Sequence, residues 1–291
     1  MIDGNLNNNQ SGWHGKLNMI FSDRAGMTQI THDRAQAPLK IQRPFYPEKP
    51  DICHSVILHT AGGIVGGDQL SLNFHLQPNS KALITTASAG KIYRSNGLQA
   101  TQNIQIKIDN NAYLEWFPQE TIIFNDAIYR QNLQVELAEN GTWLGWEIIR
   151  FGRSARGEKF TSGEWRSHTE IWQQQRPLWI DRQSLQGSEV NFNSYHALAT
   201  HPIIGNFALI GQEITSELVK KTRSLFLNNS LNNQHKYNLA ETGVTRLEKG
   251  IICRYRGQST TEVRNWFISV WHLLRLTYLN RPSCPPRVWP I

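Results

Sequence analysis

A mainly β fold closed by two helices near the C-terminus is predicted by three observations. Between about residue 52 and residue 211, short apolar segments of strand length recur, separated by turn residues. Within them Leu70, Leu72, Phe74 and Leu76 alternate with polar residues, the period-two pattern of a half-buried strand. Only beyond residue 211 does the apolar spacing become helical. Many short strands at regular spacing describe a sandwich, a barrel or a solenoid-like stack. No internal sequence repeat is evident, so a stack would be an irregular one.

The clearest strands are residues 55–59, 82–86, 103–109 and 112–117. Turn signals fall between apolar stretches at Pro78-Asn79-Ser80, Asp109-Asn110-Asn111 and Glu139-Asn140-Gly141, the last with the Asn-Gly pair favoured in two-residue hairpins. A first helix is expected over 216–227, with Leu218, Val219, Leu225 and Phe226 near one face, then an Asn-rich polar loop over 228–234. A second starts at Ser259-Thr-Thr-Glu262, a capping box, and carries Val263, Phe267, Val270, Trp271 and Leu274 at helical spacing before Pro282 forbids continuation. Residues 1–11 read as an Asn-rich disordered tail and residues 12–291 as a single β-rich domain.

With 291 residues, 39 % hydrophobic and 18 % charged, the chain has the makings of a sizeable core. No apolar run approaches the ~18 residues of a membrane span, and residues 1–10 lack the apolar centre of a signal peptide, so the expected compartment is the cytoplasm. A net charge of +7 suits an acidic partner, but no basic block or recognised motif supports nucleic acid. Three cysteines without Cys-x-x-Cys spacing indicate neither a disulfide framework nor a structural zinc site. Ten histidines include no His-Glu-x-x-His, and no Gly-x-Ser-x-Gly is present, which disfavours the common enzyme types.

The most informative stretch is His59-Thr-Ala-Gly-Gly-Ile-Val-Gly-Gly-Asp68. It matches neither a phosphate-binding P-loop nor a dinucleotide fingerprint, and it stands between two strands. Four glycines there answer a backbone demand: a tight connection, or a surface that also meets a partner. Carboxylates set among aromatic residues, Glu115, Glu120, Glu147, Glu158 and Glu164, either pair with Arg150, Arg153, Arg156 or Arg166 or line a wet cavity.

Taken with Gly26-Met-Thr, Pro44-Phe-Tyr-Pro-Glu48, Thr85-Thr-Ala-Ser-Ala-Gly-Lys-Ile-Tyr-Arg-Ser95, Leu114-Glu-Trp-Phe-Pro-Gln-Glu-Thr-Ile-Ile-Phe124, Gly152-Arg-Ser-Ala-Arg-Gly-Glu-Lys-Phe160 and Pro286-Arg-Val-Trp289, the glycine stretch gives the chain its kinship. In order and spacing these blocks resemble the UreD-type (UreH-type) urease accessory family. One departure is Phe124-Asn-Asp-Ala127, where the family usually has Gly in third place. The resemblance implies an irregular β-helix-like stack of sheets with two helices and no catalytic activity of its own. It implies a scaffold that binds the urease apoprotein and a UreF-type accessory protein, and through the complex a UreG-type GTPase, with no nucleic-acid or membrane partner. Nickel would be in transit, with no cofactor tightly bound. Because Ni²⁺ stands high in the Irving–Williams order, a route for it needs weak ligands, so no high-affinity metal site is expected. The candidates for such a route are Asp68, Glu120, Glu147, Glu158 and Glu164. Candidates for a partner surface are Gly62, Gly63, Gly66, Gly67, Tyr93, Arg94, Trp116, Arg153 and Arg156. The competing readings are a β-helical enzyme acting on polysaccharide and a basic nucleic-acid binder.

Overall fold

The computed structural model describes residues 12–153, 156–232 and 240–289, so the Asn-rich segment 1–11 lies outside the described residues. The chain opens with β1 (His14–Arg24), β2 (Met27–Gln36), β3 (Leu39–Ile41), β4 (Ile52–His59), β5 (Gln69–Leu76) and β6 (Lys81–Thr86). It continues with β7 (Gly90–Ile92), β8 (Ala100–Ile108), β9 (Tyr113–Phe117), β10 (Thr121–Ile123), β11 (Ile128–Leu137) and β12 (Thr142–Phe151). Then come β13 (Glu164–Gln173), β14 (Arg176–Gln186), α1 (Glu189–Asn193), β15 (Ile203–Ile210), α2 (Ser216–Asn232), β16 (Glu241–Leu247), β17 (Gly250–Gly257) and α3 (Thr260–Leu279).

The strands form two sheets. One has the order β14-β13-β11-β8-β5-β1-β2; the other runs β16-β17-β15-β12-β9-β6-β4-β3, with β7 and β10 paired beside β12. From β5 to β12 the chain visits the sheets alternately, and β5, β8 and β11 run parallel in one while β6, β9 and β12 run parallel in the other. Gln69, Thr101 and Arg130 stand side by side as the same position of successive coils. This is an irregular β-solenoid-like stack, flanked by antiparallel strands.

The solenoid also explains a turn that sequence reasoning placed differently. Asn140-Gly141 does not close a hairpin, because β11 and β12 belong to different sheets. Instead the Gly141 amide donates to the Ala138 carbonyl at 3.0 Å in a corner that lifts the chain from one sheet to the other. Equivalent corners at residues 77–80 and 109–112 lie alongside, and Asn79 and Asn111 both take positive φ there. Asn reaches that conformation more readily than most residues, which is why the corners are Asn-rich.

Two hydrophobic layers result. Strand β9 shows why: Leu114 and Trp116 point into the solenoid interior, against residues such as Leu72, Ile104 and Leu133, while Tyr113 and Phe117 point the other way. That second face is covered by α2 and α3 through Leu218, Val219, Trp266, Phe267 and Trp271.

Strand β5 buries Leu70, Leu72, Phe74 and Leu76 as its alternation predicts. The second predicted helix is α3, whose Ser259 Oγ accepts from the Glu262 amide at 3.2 Å. The box is only half formed, since the Glu262 carboxylate accepts from the Tyr255 hydroxyl at 2.6 Å. Two helix expectations are corrected. Helix α2 runs on through residues 228–232, expected as loop, because packing of its earlier turns on α3 and β16 outweighs the weak helix propensity of Asn and Ser; residues 233–234 lie outside the described residues. A third helix, α1, is too short to leave a period in the sequence and is fixed by its Ser188 N-cap.

Helix α3 is tied to the second sheet by Arg275, which is fully buried. Its Nε and Nη2 donate to Glu115 at 2.8 and 3.1 Å, its Nη1 and Nη2 to Glu48 at 2.6 and 2.8 Å, and its Nη1 also to the Pro282 carbonyl at 2.8 Å. All five guanidinium donors are thus used. Trp271 Nε1 and the Tyr113 hydroxyl add hydrogen bonds to Glu115 at 2.6 and 3.0 Å. Arg275→Met is expected to cost about 3–5 kcal/mol, because it strands buried carboxylates rather than merely losing a contact; urea unfolding of the two proteins measures it.

Candidate functional site

The glycine stretch folds as a tight connection on the solenoid edge. Gly62 and Gly67 have φ of 76° and 93°. At Gly66 an added Cβ would lie 2.4 Å from Ser95 Oγ and 2.8 Å from the Leu98 carbonyl, so the close approach itself requires glycine. Asp68 closes the turn: its carboxylate accepts from the Val65 and Trp13 amides at 2.9 and 2.8 Å and is buried.

The same edge collects the other sequence blocks. The Ile64 segment bridges Ile92, the Tyr93 ring meets Phe124 edge-on at 5.0 Å, and the Arg153 guanidinium lies over Phe124 at 4.5 Å. Arg94, Arg156 and Gly62 are exposed there, Tyr93, Gly63, Gly66, Gly67 and Arg153 half-buried. Trp116, the remaining surface candidate, is elsewhere: it is buried in the interior. In Phe124-Asn-Asp-Ala127 the turn forms with Asp126 at a φ of 65°, so Asp occupies a left-handed position that glycine would take without strain.

The carboxylates separate into two kinds. Glu120 pairs with Arg264 of α3, Glu158 with Arg153 at 2.7 Å, and Glu164 with Arg166 on β13. Each has the arginine partner of an ordinary ion pair, although Arg264 does not stand out in the sequence. Glu147 alone of the four glutamates lacks a cationic partner among the described residues. It reaches from β12 across the interior to Ser167, whose hydroxyl donates to both carboxylate oxygens at 3.0 Å, and to Gln131 beside it on the facing sheet.

Glu147 faces a cavity of about 210 Å³ inside the solenoid, lined by residues of successive coils. Its wall includes His59 and Thr86 near the glycine edge, Gln102 and Trp116 midway, and Gln131, Glu147, Asp181 and Asn206 toward the last strands. Arg254 stands behind that end, donating to Asp181 at 2.9 Å and to Asn206 at 3.3 Å. Both ring nitrogens of His59 and the indole nitrogen of Trp143, a further lining residue, are buried without a protein hydrogen-bond partner among the described residues. A polar guest therefore finds both donors and oxygen acceptors along the wall. Asp181, Asn206 and Gln131 are the site residues that sequence reasoning missed. They come from three strands distant in sequence, and only their inward register marks them.

Burial drives the Glu147 carboxyl up to about 7, with the Ser167 and Gln131 hydrogen bonds opposing and the negative charge of Asp181 adding to the rise. Burial likewise pushes the His59 imidazole down, against the opposing pull of Asp68.

Residues 14–290 match the family described as UreD urease accessory protein. The chain is similar to the urease accessory protein UreD of Nostoc punctiforme, 63 % identical over 280 residues that cover 96 % of this chain and 97 % of the relative. It is also similar to the UreD of Acaryochloris marina, 54 % identical over 281 residues covering 97 % and 96 %. For the UreD of a Synechocystis strain the values are 39 % over 267 residues, covering 92 % and 97 %. A β-solenoid whose apolar interior encloses a cavity with polar groups in its wall thus has a family: the chain belongs to the UreD urease accessory proteins, and its role lies in urease maturation.

A pH prediction follows from Glu147. The unfolded chain releases this proton near 4.5 and the folded protein near about 7, so the folded state binds the extra proton between those values. The stabilising contribution is complete below 4.5 and is lost as the pH rises to about 7. Glu147→Gln, permanently neutral, is expected to remove that decline: the variant gains in urea midpoint relative to the parent as pH is raised across the window. Parallel pH profiles for the two proteins would contradict the assignment.

Proposed function

We propose that this protein is a non-catalytic cytoplasmic scaffold of urease maturation. It binds the urease apoprotein on one side and a UreF-type accessory protein on another, and it helps pass nickel from a UreG-type GTPase toward the urease active site. The observation that carries this reading is the cavity along the solenoid axis with Glu147 and Asp181 in its wall. Oxygen donors, most of them neutral, suit an ion in transit: they replace part of its hydration shell without the thiolate or multi-histidine grip that would retain it. Nickel is the cargo here and not a resident cofactor.

The partner surface is proposed at the edge where the glycine connection, Tyr93, Arg94, Arg153 and Arg156 gather. Exposed Arg94 and Arg156 and the net charge of +7 fit an acidic face on the partner. Val65, an exposed hydrophobic residue of the same loop, supplies apolar contact. Consistent with a protein that works in the aqueous phase, no helix among the described residues is long and apolar enough to cross a membrane.

Of the five candidate nickel contacts only Glu147 lines the cavity, where Asp181 joins it in the wall. The double variant Glu147→Gln, Asp181→Asn is expected to co-purify with its partners as the parent does. It should lower the rate of nickel-dependent urease activation by on the order of tenfold, the scale on which loss of polar groups around a metal acts. Normal activation by a folded double variant would remove the cavity from the route.

A further inference from the structure

Away from the cavity, on the helix side of the second sheet, three metal-ligating side chains converge. Glu48 lies in the segment before β4, His54 within β4, and Cys284 in the segment that follows α3. A carboxylate oxygen of Glu48, a ring nitrogen of His54 and Cys284 Sγ all lie within 4.8 Å of one another. A four-coordinate divalent ion with bonds of roughly 2.0–2.3 Å holds its ligands about 3.3–3.8 Å apart. Small side-chain rotations therefore suffice to close these three around an ion.

Two further observations point to a cation. His54 is completely buried; its Nε2 is 2.9 Å from Glu48 Oε1, and its Nδ1 has no hydrogen-bond partner among the described residues. The charges also fail to balance: Glu48 and Glu115 are two carboxylates against the single guanidinium of Arg275, whose donors are all engaged. A buried excess of negative charge is costly unless a cation completes the set. Cys284 is only partly buried, which leaves the cluster open to solvent on its side.

We propose that Glu48, His54 and Cys284 form a binding site for a borderline divalent transition ion of the Co²⁺, Ni²⁺ or Zn²⁺ kind. Imidazole, thiolate and carboxylate together suit such ions and not Mg²⁺ or Ca²⁺. The ion takes the place of the thiol proton, which leaves to solvent, so occupancy rises with pH. Sharing of Glu48 with Arg275 weakens that ligand. The site goes beyond the cavity reading and does not depend on it. No motif announces it, since Cys284 stands at the far end of the chain from Glu48 and His54.

Cobalt(II) is the probe. Metal-free full-length protein titrated with cobalt chloride is expected to develop a thiolate-to-cobalt absorption band in the near ultraviolet, reversed by excess zinc chloride, whose d10 ion gives no such band. Cys284→Ser abolishes the band, His54→Gln weakens cobalt binding by roughly tenfold or more, and Glu217→Gln, at an exposed position of α2 paired with Lys221, leaves both unchanged. Glu48 is left intact because it holds Arg275. A second measurement needs no substitution: bound cobalt or nickel protects Cys284 of the parent protein from iodoacetamide, read by peptide mass spectrometry, with buried Cys53 and Cys253 as references. No thiolate band in the folded parent at a large cobalt excess, a band that survives Cys284→Ser, or alkylation of Cys284 at one rate with and without metal would each overturn the site.

Discussion

A parallel solenoid strand cannot satisfy its backbone within its own coil; each amide and carbonyl has to find its partner on the next coil. That constraint organises the molecule. It forces the corners of successive coils into register, so that Asn79 and Asn111 stack, with the Asn79 amide donating to the Asn110 carbonyl at 3.1 Å. It brings the glycine stretch, Tyr93, Phe124 and Arg153 to a single edge although they are spread over much of the sequence. It also leaves an interior that runs along the stacking axis, where inward residues of neighbouring strands form a continuous wall.

The second sheet is then covered on both faces, and its outer cover is held by charge as well as by apolar contact. Arg275 threads from α3 between Glu115 and Glu48, and the tail beyond the helix returns so that Trp289 donates to Thr85 Oγ1 at 2.9 Å. Burial raises the Glu48 carboxyl, but hydrogen bonds from His54 and Arg275 outweigh it and hold the group at about 2. Such an arrangement contributes less to net stability than its bond count suggests, because desolvation offsets much of the attraction. Its effect is positional: a salt-bridged set of this geometry admits one placement of α3 and of the tail.

The strands were legible where alternation is strict, as in β5, and the C-terminal helix where a cap, a period and a proline coincide. The coil path was not legible, since Asn-Gly signals a turn without saying which sheet the next strand joins, and the coils differ in length and residues. The resemblance to a known family supplied the stack that periodicity left open. For the site, residue type singled out five carboxylates, and the fold divides them. Arg264 and Arg166 turn Glu120 and Glu164 into ion pairs, Asp68 becomes a turn closure, and Glu147 alone points into the interior. Asp181 and Asn206 were invisible because inward register, not local sequence, gives them their place.

The edge of stacked motifs, the polar groups in the cavity wall and the membership of the UreD family support the proposal of a scaffold that holds urease and its nickel-delivery partners together. The most direct measurement is reconstitution from purified components: urease apoprotein, the UreF-type protein, the UreG-type GTPase, nickel and GTP, with and without this protein. The account predicts that the complete mixture captures all partners in one complex and that GTP-dependent urease activity appears only when this chain is present. Equal activation in its absence, or a folded chain that captures none of the partners, would contradict it.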